Sequence, residues 1–344
     1  MVGEIQDILL IGFSAVGAVY SLILKRGGLA HVTAVARSNY DVINREGIHF
    51  QSKKYGDIKG WRPDHLCKSV AEAADRPYDY IVVTTKAIPE VEYNDQFPQP
   101  TYMLLQNGLG IEQDLYNALK ALSNKVEPKI ISCGLWIYTN LLAPNVVEHG
   151  DFDHDWTMMV NTAEESSLLK DFANILETGG GTVNIVPEVQ CIKFSKNLWN
   201  ISFSGIMMLT QYTLPAFFQP PSEDPSISYE PYVYPATADL IKTYTIPMIM
   251  AILEELILVG RVLGYPDAED SLPSSLPSFI LETSWKIHAK PDSTHVLSML
   301  LDAQRGQPIE VEAIVGENMA ILYIETLYAL LLVVQNQLLC RLRA

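Results

Sequence analysis

The strongest constraint on the fold is a glycine-bounded turn near the start of the chain. An apolar run, Asp7-Ile-Leu-Leu-Ile, leads into Gly12-Phe-Ser-Ala-Val-Gly17, and a helical pattern follows. A buried parallel strand, a tight turn and a helix folded back onto the strand account for this order. The first glycine permits the turn and the last permits close helix packing, while the helix N-terminal amides face any anion lying in front of them. The middle position of the usual dinucleotide fingerprint is Ser14 instead of glycine. Its Cβ crowds a phosphate, although its hydroxyl can donate to one. The plainer reading is a glycine-containing turn with no ligand.

Further apolar runs at 31–36, 78–85, 102–106 and 130–137 read as strands, with helical patterns between some of them. Segments 145–149 and 182–186 look like β structure closing the same domain. Alternating strands and helices imply βαβ units and a doubly wound sheet. After residue 186 the pattern becomes helical, over 189–213, 236–263 and 293 to the end. The expected fold is therefore an α/β Rossmann-type dinucleotide-binding domain, residues 1–186, followed by an all-α C-terminal domain, residues 187–344. Between the first two helical blocks, 215–235 is dense in proline, serine and tyrosine and reads as an irregular surface excursion.

Composition narrows the function. With 40 acidic against 24 basic residues the net charge is −16, which works against a sequence-independent hold on nucleic acid or an anionic membrane. The uncharged stretch 8–24 is short for a span, lacks a basic flank and is punctuated by glycine, so it reads as neither membrane helix nor signal segment. Four cysteines, Cys67, Cys133, Cys191 and Cys340, show no metal-ligand or disulfide spacing. A reducing, cytoplasmic setting is expected. The seven histidines suggest no metal site. His149 and His154, among Asp151, Asp153 and Asp155, read as a solvated polar loop.

At the end of the second strand, where an Asp or Glu would hold a ribose 2′-hydroxyl, the chain has Arg37. A guanidinium there suits a 2′-phosphate, so the expected cofactor is NADP(H); the alternative is a solvated surface arginine. Lys86 follows the 78–85 strand and faces the same crevice.

Asn107 in Leu105-Gln-Asn-Gly-Leu-Gly110, Lys196 and Asn200 in Lys196-Asn-Leu-Trp-Asn200, Ser298 in Ser298-Met-Leu-Leu-Asp302 and Glu310 in Pro308-Ile-Glu-Val-Glu312 complete a set of separated motifs. In their order and spacing the chain resembles the ketopantoate reductase family. The resemblance implies reduction of 2-dehydropantoate, a 2-oxo acid, to pantoate with NADPH, a step of pantothenate biosynthesis. It makes Lys196, Glu310 and Asn107 the catalytic set and Asn200, Ser298 and, in place of a second asparagine, Ser204 the substrate contacts; Asn107 joins Gly12, Ser14, Gly17, Arg37 and Lys86 as the expected cofactor contacts. Chemically, a protonated lysine can stabilise the oxyanion that forms as a ketone accepts hydride, then donate its proton. Lys196 and Asn200, four apart, share one helix face.

The chain departs from the family pattern where a second asparagine becomes Ser204 and where Asn-Gly becomes Val315-Gly316. The stretch between Gly316 and Leu327 is also short, which questions the packing behind Glu310. These departures, with the 215–235 excursion expected near the site entrance, leave two alternatives: a reductase of a larger secondary-metabolite ketone, and a non-catalytic NADP-binding sensor that contacts a partner through Tyr229, Tyr232 and Tyr234. His295, near Ser298, is a weaker candidate for a proton relay. The apolar last helix suits either a homodimer contact or the core. Because both ligands are anions and the chain is acidic, local cations and amides must dominate the site.

Overall fold

The computed structural model describes residues 5–86, 100–122, 127–158, 163–186, 188–224, 226, 229, 231–291, 293, 296–316 and 322–343. The chain divides into two compact units, Met1–Lys193 and Phe194–Ala344.

In the first unit, nine strands form one sheet among the described residues: β1 (Gln6–Ile11), β2 (Ala30–Val35), β3 (Ile48–Ser52), β4 (Gly56–Trp61), β5 (His65–Cys67), β6 (Tyr80–Val83), β7 (Thr101–Leu104), β8 (Ile130–Ala143) and β9 (Val146–Met158). Their order across the sheet is β4-β3-β9-β8-β7-β6-β1-β2-β5. From β5 to β8 every pair is parallel, as the βαβ reading requires. Beyond β8 the sheet continues through an antiparallel β8–β9 pair, a parallel β9–β3 pair and an antiparallel β3–β4 hairpin.

Alternate residues of β1 serve opposite faces, the two-residue period of a strand covered on both sides. Ile8 and Leu10 join a core that includes Val19, Ile23, Phe50 and Phe172, whereas Leu9 packs with Val35, Ile81 and Leu119. Helix α1 (Ala15–Arg26) buries every residue from Gly17 to Leu24. The uncharged stretch is thus a strand and a helix that are both interior, and no helix among the described residues is long and apolar enough to cross a membrane. Helices α2 (Glu112–Leu122) and α3 (Ala163–Thr178) also belong to this unit, with two shorter helices at Tyr40–Glu46 and Val70–Ala73.

Two expectations are corrected here. Residues 149–155 lie in β9, where Thr139 pairs with His149 and Leu135 with Asp155, so the polar patch is strand instead of solvated loop. His149 itself is buried, with Ser52 Oγ 2.8 Å from its Nδ1. Segment 182–186 forms no strand, only a single bridge residue at Ile185.

Helix α4 (Gln190–Trp199) runs through the division between the units. It continues into a π-turn, Asn200–Ser204, and then α5 (Gly205–Thr210). A second π-turn, Ile241–Thr245, precedes α6 (Ile246–Val262). Pro247 has no N–H to return to the preceding turn, and the wider π geometry accommodates that missing bond. Then come α7 (Leu276–His288), α8 (Ser298–Gln304), α9 (Val311–Ile314) and α10 (Leu322–Arg343). The single helical pattern expected from 293 onward is broken after α8, because Gly306 adopts positive φ and Pro308 cannot continue a helix. Glu255 of α6, buried, accepts from the backbone N–H groups of Tyr323 and Ile324 at 3.1 Å each, satisfying two of the four orphan donors of α10.

Candidate functional site

The residues expected on the cofactor side all lie in the first unit, at the carboxyl edge of adjacent parallel strands. Ile11 of β1 is level with Val35 of β2 and Val83 of β6, and Val83 is level with Leu104 of β7. Gly12, Arg37, Lys86 and Asn107 therefore emerge within three residues of one row, the place where open α/β sheets form their ligand crevice.

The turn is tight for reasons the backbone makes plain. Gly12 has φ +102°, and a Cβ on it would stand 2.8 Å from the Thr85 amide nitrogen. A Cβ on Gly17 would stand 2.0 Å from the Gly12 carbonyl oxygen and 2.6 Å from Thr84 Oγ1. Two further side chains hold the turn. The Thr84 hydroxyl donates to the carbonyls of Ile11 and Gly12, and Asn39 Nδ2 donates to the Phe13 carbonyl at 2.7 Å and to the Pro144 carbonyl at 3.3 Å. Ser14 is the N-cap of α1 and is exposed; its hydroxyl makes no capping bond, and the first turn of α1 carries no acidic residue. The helix N-terminus is therefore an uncompensated positive dipole end with a hydroxyl beside it, which fits a pyrophosphate. Arg37 is exposed, and Lys86 and Asn107 are half-buried.

A buried polar cluster lies in the same unit, at the Ser132 end of the β7–β8 pairing. Lys193 is 3% exposed and donates to Ser132 Oγ at 2.9 Å, with Glu112 Oε2 3.8 Å away. Ser132 donates to the same Glu112 oxygen at 3.2 Å, and Gln190 Nε2 donates to Glu112 Oε1 at 2.5 Å. Burial pushes the Lys193 ammonium below the usual lysine range, with Glu112 opposing. Ser132 pairs in register with Leu104, so the cluster lies at the carboxyl edge of β7. Sequence reading missed Lys193, Thr84 and Asn39. The spacing Lys193-x-x-x-Asn197, which repeats that of Lys196 and Asn200, was the available signal for the first.

In the second unit, Lys196 and Asn200 are half-buried on the helical stretch that continues into α5, and Ser204 is buried at the end of the π-turn. Helix α8, which begins at Ser298, packs against that π-turn and against α5, so the elements bearing Asn200, Ser204 and Ser298 are brought together. Ser298 is exposed. Glu310 is 8% exposed at the N-cap of α9 and makes no capping bond with it. Asn197 Nδ2 and Ser202 Oγ are buried without a hydrogen-bond partner among the described residues. The 215–235 excursion helps line an apolar cavity of about 880 Å³ walled by Phe217, Phe218, Val233, Met250 and Trp285; none of the predicted site residues lines it. His295 lies outside the described residues, and among those described no His, Cys, Asp and Glu cluster could hold a metal.

The fold and the turn define a Rossmann-type α/β domain joined to a helical domain. Residues 8–160 match the family model described as Ketopantoate reductase PanE/ApbA. Over those residues the chain is similar to the ketopantoate reductase family, and its fold is the one that family's solved members share. An uncharacterized protein of Saccharomyces cerevisiae is 26% identical over 371 residues, covering 96% of this chain and 94% of that one. A 2-dehydropantoate 2-reductase of a Nostoc species is 22% identical over 327 residues, covering 89% and 86%. Among solved structures, 2-dehydropantoate 2-reductase from Methylococcus capsulatus superposes with a TM-score of 0.73 at 23% identity over 96% of this chain and 97% of that one. D-mandelate dehydrogenase with NADH and anilino(oxo)acetate gives 0.69 at 16% identity over 97% and 99%.

Proposed function

We propose that this chain is an NADPH-dependent reductase of a 2-oxo acid, with 2-dehydropantoate as the default substrate. One observation supports the reading: the level row of strand ends, which brings the glycine turn, Arg37, Lys86 and Asn107 to one edge of the sheet, beside a helix N-terminus with no acidic residue in its first turn. The amides of α1 and the Ser14 hydroxyl receive the pyrophosphate, and Gly12 makes the tight turn that presents them. Arg37 pairs with the 2′-phosphate. Bound NADPH supplies the hydride. Lys196 stabilises the developing oxyanion and gives its proton to the same oxygen, leaving a neutral amine that solvent reprotonates. Asn200, Ser204 and Ser298 hold the substrate, and Glu310 accepts from its hydroxyl. The similar 2-dehydropantoate 2-reductase supports the 2-oxo acid class, while the NADH named with D-mandelate dehydrogenase makes Arg37 the residue on which the choice of NADPH rests.

The test is loss of NADPH absorbance with ketopantoate. Turnover that falls about 10²- to 10⁴-fold in Lys196→Ala, with NADPH affinity unchanged, is expected. No turnover with ketopantoate or any other 2-oxo acid, despite tight NADPH binding, overturns the reductase reading in favour of a sensor.

A further inference from the structure

Glu310 stands in a non-helical link between α8 and α9, where no ladder fixes the backbone. The N–H of Ile309, immediately before it, is buried and belongs to no helix. Its acceptor comes from α10: Gln335 Oε1 lies 2.9 Å away. Gln335 is 2% exposed and occupies the buried stripe Ile324, Leu327, Leu331, Leu338 of that helix. A glutamine in such a stripe would be replaced by an aliphatic side chain if packing alone mattered, since an amide loses its hydration there. Its acceptor instead satisfies a backbone donor that burial would leave orphaned.

A second contact fixes the other side of Glu310. Tyr328, two turns before Gln335 and on the same helix face, donates to the carboxylate of Glu312. Helix α10 thus grips the chain one residue before Glu310 and two residues after it. Glu255 seats that helix at its first turn.

We propose that Gln335 is a positioning residue for Glu310: by holding the Pro308–Ile309 peptide it sets where the Glu310 carboxylate is presented to a substrate hydroxyl. The inference rests on the reading of Glu310 as a substrate-binding carboxylate. It adds a residue that touches no reactant and that acts through the backbone.

The experiment is a double-mutant cycle on the full chain with NADPH and ketopantoate, using Gln335→Met and Glu310→Gln. Gln335→Met should raise KM for ketopantoate about threefold to tenfold, the range of one neutral hydrogen bond, with kcat changed less and NADPH affinity unaltered. In the Glu310→Gln background the same substitution should have no further effect on KM. Should Gln335→Met fail to fold, Gln335→Asn keeps the amide and withdraws the acceptor by one methylene, and the same comparison applies. An unchanged KM, or an equal rise in both backgrounds, overturns the positioning role while leaving Glu310 as substrate ligand. If Glu310→Gln itself leaves KM unchanged, or the wild type turns over no 2-oxo acid, the reading of Glu310 fails and the inference falls with it.

Discussion

Substituting Gly17 by alanine tests the turn on which the cofactor reading depends. The new Cβ would lie 2.0 Å from the Gly12 carbonyl oxygen, against an ordinary carbon–oxygen contact of about 3.3 Å or more. Helix α1 must therefore retreat by roughly 1 Å or the turn must yield. The obstacle is main chain, so no side-chain rotation relieves it, and Thr84 and Asn39 hold that main chain in place. Overpacking of this kind costs about 1–3 kcal/mol, and the backbone obstacle puts this site near 3. At about 2–4 °C per kcal/mol for a unit of this size, melting should fall by roughly 6–12 °C. The helix N-terminus moves with the helix, so NADPH affinity should drop by at least about tenfold. Gly28→Ala is the control, because a Cβ there meets nothing within 4 Å. It should melt somewhat lower for its positive φ and bind NADPH normally. The assays are thermal unfolding by circular dichroism and a fluorescence titration with NADPH. If Gly17→Ala melts within about 2 °C of the wild type and binds NADPH equally well, close helix–turn packing does not hold the turn.

Two further outcomes are expected. Arg37→Ala should weaken NADPH by about tenfold or more and leave NADH unchanged, as read by paired fluorescence titrations; a wild type with equal affinity for both cofactors would sink the 2′-phosphate assignment. Lys193 supplies a pH dependence. Burial lowers its pKa in the folded state, so the unfolded chain holds that proton more tightly. The penalty is fully present below the folded pKa and is relieved as pH rises from there to the ordinary lysine value. The stability of wild type relative to Lys193→Met, from urea unfolding, should therefore climb over that window, and a flat difference would count against a buried charged lysine.

How much of this was legible in the sequence follows from the range of the interactions. The β1-turn-α1 unit was, because its apolar strand, glycines and helix lie within 21 residues and the parallel partner β2 follows immediately. The β3–β4 hairpin was not, since Lys53-Lys-Tyr-Gly-Asp57 carries little apolar alternation and the strands gain their order from pairing with β9. Residues 149–155 misled for the same reason: their acidic and histidine side chains suggest water, while antiparallel pairing with β8 makes them strand. The helical domain was legible as helix, while the break between α8 and α9, made by one glycine and one proline in an otherwise continuous pattern, was not.

The candidate site divides in the same way. Spacing placed Lys196 and Asn200 on one face, and the glycine turn at the end of a strand, because both are matters of helix and strand period. By itself the sequence determined the βαβ alternation, the turn and the family motifs. Only the tertiary structure decided what locks them: Asn39 reaching Pro144 across 105 residues, Thr84 closing on Gly12 across 72, Lys193 buried on Ser132 across 61, and Gln335 holding Ile309 across 26. Local periodicity specifies which residues share a face. Which buried donor meets which acceptor depends on the packing of elements distant in the chain, where an unpaired polar group is too costly to leave.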